Sequence, residues 1–236
     1  MKRIIDGAWL IPLGLANGVL LQGDDGELVL VDAGFPGHED AVFDALTSLG
    51  RRPEDLNHIV FTHAHPDHIG SAAAIIQRSR PRTWMHPIDV PISESGGPFR
   101  PMHASPGLVQ KIGFRLFWRP NEPIAAVKID EHIEHGQTLP LAGGLDVIHT
   151  PGHCAGHVSL HWRPGNMMIV GDVGSNVMGV ADPLGFEDRE QGRQSQRLLA
   201  SMDFAAAAFG HGRAIPSDAA NKVRRGWGVQ KNGTPK

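Results

Sequence analysis

The 236-residue sequence has no tyrosine and a single cysteine, Cys154. A lone thiol forms no internal disulfide, so packing must hold the fold, and a reducing, cytoplasmic setting is the expectation. No phenol is on offer to a catalytic site either. Long hydrophobic runs are missing too, since nothing approaches the ~18 apolar residues of a membrane helix. Met1-Lys2-Arg3 precedes an apolar stretch from Ile4 to Ala16, but Asp6, Gly7, Pro12 and Gly14 interrupt it, unlike an export signal. Nor is there a surplus of positive charge. Lys and Arg number 22 against 25 Asp and Glu, a net charge of -3, which leaves no broad field for phosphates and argues against a nucleic-acid partner. What remains is a globular composition, 41% hydrophobic and 20% charged, at a length that suits one large domain or one domain with an insertion. Set against these scarcities are 14 histidines.

Trp9 to Gly34 alternates short apolar runs with turn signals, Ala16-Asn17-Gly18 and Gly23-Asp24-Asp25-Gly26, the pattern of a β-meander. Residues 38–50 space Val42, Leu46 and Leu49 at helical intervals and stop at Gly50. Ile59 to Phe61 reads as a buried strand, and Ile69 to Gln77 as the helix after it. From Ser93 to Pro123 the periodicity gives way to Gly, Pro, His and the aromatics Phe99, Phe114, Phe117 and Trp118, which predicts an insertion or lid over 93–123. Strands resume over 145–148, 158–162 and 167–170, followed by a helix over 189–202 and a strand over 204–209. The expected organisation is one α/β domain over 1–225, its helices outside its sheets, with a flexible tail over 226–236.

Chemistry is concentrated in His63-Ala64-His65-Pro66-Asp67-His68, three imidazoles and a carboxylate directly behind an apolar strand. In an extended chain alternate residues share a face, so His63, His65 and Asp67 point one way, and His68 opens the next helix. His153 in Thr150-Pro151-Gly152-His153, Asp172 in Val170-Gly171-Asp172 and His211 in Phe209-Gly210-His211-Gly212 each follow a predicted strand. If those strands share an edge, all seven side chains converge where layered α/β folds build their ligand sites. Five neutral imidazoles and two carboxylates suit zinc, and also iron, manganese or cobalt. Seven donors are too many for one tetrahedral ion. They divide into His63, His65 and His153 for a first ion and Asp67, His68 and His211 for a second, with Asp172 bridging. Two divalent ions, two carboxylates and one hydroxide leave residual positive charge, suited to an oxyanion. His157 reads as a residue supporting the site rather than a ligand, and Cys154 as a small buried residue. His103, inside the expected lid, is a candidate hydrogen-bond donor to the oxyanion.

These segments, HAHPDH, TPGH, a strand-end Gly-Asp and a late GHG, together with VDAG at 31–34 and PGHxxGH at 151–157, resemble the metallo-β-lactamase-fold hydrolase superfamily from about Asn17 to Ile215. The resemblance implies a four-layer αβ/βα sandwich with a dinuclear site at the sheet edge, the same seven ligands, and Asp32 orienting a metal-bound histidine. Lactam-hydrolysing members lack the bridging aspartate, so Asp172 points away from them. Glyoxalase II-like members carry a C-terminal helical domain, for which the roughly 25 residues after His211 leave no room. Lactonase-like members match in size and ligands, but the best known use a tyrosine that is absent here. The implied activity is hydrolysis of an ester, thioester or lactone by hydroxide held between two divalent ions, with Asp67 passing a proton to the leaving group. The expected partner is a small molecule with an acyl or aromatic group, not nucleic acid or a membrane, and a homo-oligomer is compatible with the sequence. Two alternatives stand beside it: a mononuclear iron persulfide dioxygenase, and a non-catalytic metal-binding protein.

Overall fold

Leu28–Val31 is a strand of four buried apolar residues whose side chains alternate between two cores. Leu28 and Leu30 pack with Val42, Leu46 and Ile75 from helices, whereas Val29 and Val31 pack with Leu145, Val147, Leu160 and Ile169 from a second sheet. Met167–Ile169 repeats the division. Met167 and Ile169 face the first sheet, and Met168 joins Leu199, Phe204 and Val223 on the far side. Two sheets buried on both faces need helices outside them, and the result is a four-layer αβ/βα sandwich.

The computed structural model describes residues 1–119, 121 and 123–231. In chain order the elements begin with β1 (Lys2–Ile5), β2 (Ala8–Leu13), β3 (Ala16–Gln22), β4 (Leu28–Val31), α1 (Glu39–Ser48), β5 (Leu56–Val60), α2 (Pro66–Ile69), α3 (Ala72–Ser79) and β6 (Arg82–Met85). There follow α4 (Val90–Ser95), β7 (His103–Ala104), α5 (Leu108–Phe117), β8 (Glu131–His132), β9 (Thr138–Leu139), β10 (Leu145–His149) and β11 (Val158–Trp162). The chain closes with β12 (Met167–Ile169), β13 (Gly185–Phe186), α6 (Arg189–Ser201), β14 (Ala206–Ala208) and α7 (Ala219–Trp227). The first sheet has the order β1-β2-β3-β4-β5-β6-β8, antiparallel as far as β4 and parallel from there on. The second has the order β14-β12-β11-β10-β9, antiparallel except for β12 with β14. In consequence β10, β12 and β14 run the same way and end at one edge. A ribbon of β7 with β13 ties segment 93–123 to the body.

The helix expected over 69–77 divides into α2 and α3, and the break falls at Gly70, where a Cβ would overlap Pro36 and the Pro66 carbonyl. Segment 93–123 carries structure of its own, although α5 buries none of its side chains; residues 120 and 122 lie outside the described residues. No helix among the described residues is long and apolar enough to cross a membrane. The loose tail expected from residue 226 is corrected by α7. Ala219, Val223 and Trp227 keep helical spacing past Arg225, and Trp227 and Val229 are buried against Leu199 and Phe204. Residues 232–236 lie outside the described residues.

Replacing a buried tryptophan by alanine costs about 3–5 kcal/mol. At about 2–4 °C per kcal/mol for a domain of this size, Trp227→Ala is expected to lower the melting temperature by at least about 6 °C in calorimetry. An unchanged transition would return residue 227 to a loose tail.

Candidate metal centre

β5 ends at Val60, the chain bends at Thr62, and His65 is extended, with φ and ψ of -85° and 155°. Here the alternate-residue expectation stops. Pro66, with φ preset for a first helical position, begins α2, so Asp67 and His68 lie in a helical turn rather than along the same extended face. His153, Asp172 and His211 follow the ends of β10, β12 and β14, which brings all seven residues to one edge. His63, His65 and His153 form one group, and Asp67, His68 and His211 another, with ligand-capable atoms within 4.8 Å of one another in each. His63, His68 and Asp172 form a third group that joins them. Asp172 Oδ2 lies 3.6 Å from His153 Nε2 and 3.2 Å from His211 Nε2, while its Oδ1 lies 3.6 Å from His68 Nε2.

Four of the five imidazoles are oriented from behind, while His65 Nδ1 lies 3.0 Å from His153 Nε2 within the cluster. His68 Nδ1 donates to Asp32 Oδ2 at 2.9 Å, His153 Nδ1 to the Gly185 carbonyl at 2.9 Å, and His211 Nδ1 to the Leu15 carbonyl at 3.0 Å. These partners only accept, so Nδ1 carries a proton and Nε2 is the atom that faces inward, able to give a lone pair once no second proton occupies it. The Thr62 hydroxyl donates to Asp32 Oδ2 at 2.8 Å and accepts from His63 Nδ1 at 2.9 Å, which orients His63 likewise. His157 stands outside the donor set: its Nε2 accepts the Asp172 backbone N–H at 2.8 Å, and its Nδ1 donates to Thr150 Oγ1 at 2.8 Å. The late GHG has a steric reason, because a Cβ on Gly210 would overlap Asp172 Oδ1.

Three inward atoms, His63 Nε2, His68 Nε2 and Asp172 Oδ1, are buried without a hydrogen-bond partner among the described residues. An unpaired buried polar atom costs about 1–3 kcal/mol, and lone pairs gathered at one point are what a cation satisfies. The donor set therefore fits divalent metal. Burial, reinforced by neighbouring imidazoles, pushes His63 and His65 well below the usual imidazole range, and burial lowers His153. Burial also disfavours charge on His68, yet the Asp172, Asp32 and Asp67 carboxylates outweigh it and raise His68 to about 10. His211 is likewise held well above its usual range by Asp172 and Asp67. Burial alone would raise the two aspartates, but His68 and His211 hold both below the carboxylate range. One half of the centre is thus neutral imidazole, and the other carboxylate with imidazolium, whose protons a metal would displace.

His63 and His68 are fully buried, whereas Asp67 and His211 are half-buried, so the cluster opens on their side. From segment 93–123, the Trp118 ring reaches within 5.1 Å of the His65 ring and Phe99 within 6.3 Å, centroid to centroid. Phe117 and His103 are exposed; His103 pairs with Phe186 in the β7–β13 ribbon and has no side-chain hydrogen bond among the described residues. Sequence reasoning missed two acids behind the loops: Asp89, which accepts the Ala64 N–H at 3.0 Å, and Glu187, which accepts the Ala155 N–H at 2.9 Å. Asp89 follows β6 as Asp32 follows β4, and that recurrence of a carboxylate after a strand was its one available signal.

The family model for the metallo-beta-lactamase superfamily matches residues 11–211. The probable metallo-hydrolase YflN of Bacillus subtilis (strain 168) is 29% identical over 163 residues, which cover 65% of this chain and 58% of that protein. The uncharacterized protein YobT of the same organism is 29% identical over 215 residues, covering 84% and 83%. A hydroxyacylglutathione hydrolase of Rhizobium meliloti (strain 1021) is 28% identical over 70% of this chain, which spans only 52% of that relative. Among solved structures, a metallo-beta-lactamase family protein from Thermus thermophilus shares the fold, with a TM-score of 0.70 over 94% of this chain and 79% of its own at 22% identity. With the family model spanning most of its length and the seven donors gathered at the edge of a four-layer sandwich, this chain belongs to the metallo-beta-lactamase superfamily.

Proposed function

We propose that the chain is a hydrolase of esters, thioesters or lactones that works with two divalent ions, zinc being the ion its nitrogen-rich donor set suits. The observation that carries this reading is the trio of buried atoms without partners, His63 Nε2, His68 Nε2 and Asp172 Oδ1, inside seven converging donors. His63, His65 and His153 would hold one ion, Asp67, His68 and His211 the other, and Asp172 would serve both. When bound, such ions lower the pKa of water towards about 7 and polarise a carbonyl. The protein's own share is orientation and proton movement. Asp67, half-buried at the open side with Oδ2 3.2 Å from His211 Nε2, is the group we assign to take a proton from the attacking water and pass it to the departing alkoxide or thiolate. Trp118 and Phe99 supply an apolar wall beside His65 for an acyl or aromatic group. Similarity to a hydroxyacylglutathione hydrolase supports thioesters as the first substrates to assay.

Purified protein is expected to hold close to two metal ions per chain by elemental analysis. A chelator should abolish turnover of activated esters and thioesters, and added zinc should restore it. A single iron per chain with oxygen consumption would favour the persulfide dioxygenase, and bound metal without turnover of any acyl substrate would favour a binding protein. Asp172→Ala is expected to lose activity together with metal occupancy; full occupancy and normal turnover would remove its shared role.

Asp32→Ala strips the partners from Thr62 and His68, and losing such support weakens metal binding by about 10- to 100-fold. Competition against a chromophoric chelator measures it, and wild-type affinity would show that Asp32 serves folding alone. Trp118→Ala should change the ratio of kcat/KM between short- and long-chain acyl esters while metal content stays constant. An unaltered ratio across the series would count against the apolar wall.

A further inference from the structure

Arg100 lies between α4 and β7, inside the segment expected to form a lid, and its guanidinium reaches two carboxylates beneath the surface. Its Nη2 donates to Asp89 Oδ1, and its Nε donates to the Glu187 carboxylate at 2.8 and 3.0 Å. Asp89 is 1% exposed. Its other oxygen accepts the Ala64 N–H at 3.0 Å and the Cys154 thiol at 3.4 Å. Glu187 Oε2 accepts the Ala155 N–H at 2.9 Å, and the Glu187 N–H donates to the His153 carbonyl at 3.0 Å. Ala64 stands between His63 and His65, and Cys154 and Ala155 directly follow His153. A Cβ on Gly156 would overlap the Asp89 carboxylate, so the second glycine of PGHxxGH lets the His153 loop close onto the same acid.

These contacts reach one half of the centre. His63, His65 and His153 sit on the two loops that the Asp89–Arg100–Glu187 triad joins. In the other half His68 is oriented by Asp32, His211 by the Leu15 carbonyl, and Asp67 by the turn of α2. Two carboxylates withdrawn from water at this distance are tolerated because one guanidinium bonds both. Removing it leaves them uncompensated, so they separate or take up a proton, and the N–H groups of Ala64 and Ala155 lose charged acceptors. Three donor nitrogens that must meet one ion tolerate displacements of only about 0.5 Å.

We infer that Arg100 is a positioning residue which sets metal affinity in the three-histidine half of the centre and so couples the lid segment to metal binding there. The inference rests on the reading that His63, His65 and His153 hold an ion. The test is zinc titration of the full chain by chelator competition, paired with the visible absorption of its cobalt(II) form. Wild type should show two binding events. Arg100→Met should weaken one of them by about 10- to 100-fold, the usual effect of losing a supporting partner, and spare the other. Arg100→Lys should fall between, because an ammonium lacks the fork that engages both acids. In His211→Ala, which keeps the three-histidine half, adding Arg100→Met should weaken the event that remains. If Arg100→Met fails to fold, Glu187→Gln keeps the shape, removes one charge and should weaken the same event. Two unchanged events in the Arg100 variants overturn this inference alone, as does a parallel weakening of both with a lower melting temperature of the metal-free protein. A wild-type chain that binds no zinc or cobalt overturns the reading of the centre itself.

Discussion

Asp32 accepts three hydrogen bonds at the end of β4: from the Thr62 N–H, the Thr62 hydroxyl and His68 Nδ1. Because the Thr62 hydroxyl donates to Asp32, its oxygen is left to accept from His63 Nδ1, so a single carboxylate sets the tautomers of both imidazoles. The inward-facing Nε2 atoms of His63 and His68, where the two halves of the centre meet, depend on this contact. The backbone at Asp32 is left-handed, with φ +63°, a conformation that costs on the order of 1–3 kcal/mol for a residue with a side chain. Burial at the junction of β4 and β5 and three bonds to the carboxylate hold it there.

Around that contact the two halves of the centre are built on different electrostatics. Three imidazoles that burial keeps neutral occupy one side, supported by backbone N–H groups bonded to Asp89 and Glu187. On the other, Asp67 and Asp172 face His68 and His211, and in the metal-free chain each type of charge stabilises the other. Asp172 touches both halves, 3.6 Å from His153 Nε2 and 3.2 Å from His211 Nε2. The sandwich makes the assembly possible because parallel β10, β12 and β14 deliver His153, Asp172 and His211 to the edge at which β5 delivers the HAHPDH segment.

Much of this was legible in residue order. The alternation in Leu28–Val31 and Met167–Ile169 marks strands buried on both faces, and Val42 with Leu46 marks a helix on one of them. The seven donors announce themselves because each follows an apolar strand and several stand beside glycine. Trp227 was missed because the expected boundary at Arg225 cut through one helical face, which Val223 and Trp227 continue across it. The role of Arg100 was invisible for another reason: its partners Asp89 and Glu187 stand 11 and 87 residues away, and an arginine amid glycine and proline looks like any solvated loop.

By itself, the sequence determined what depends on neighbours along the chain: strand and helix periods, the clustering of imidazoles behind strands, and the absence of a phenol. The tertiary structure alone decided which Nε2 atoms meet, that Pro66 turns Asp67 towards His211, that His157 supports Asp172 through its backbone N–H, and that one guanidinium joins the loops of three histidines. The physical reason is range. Local periodicity is written into contiguous residues, whereas tautomers, buried ion pairs and the sharing of a carboxylate arise only when segments distant in sequence are packed together with water excluded.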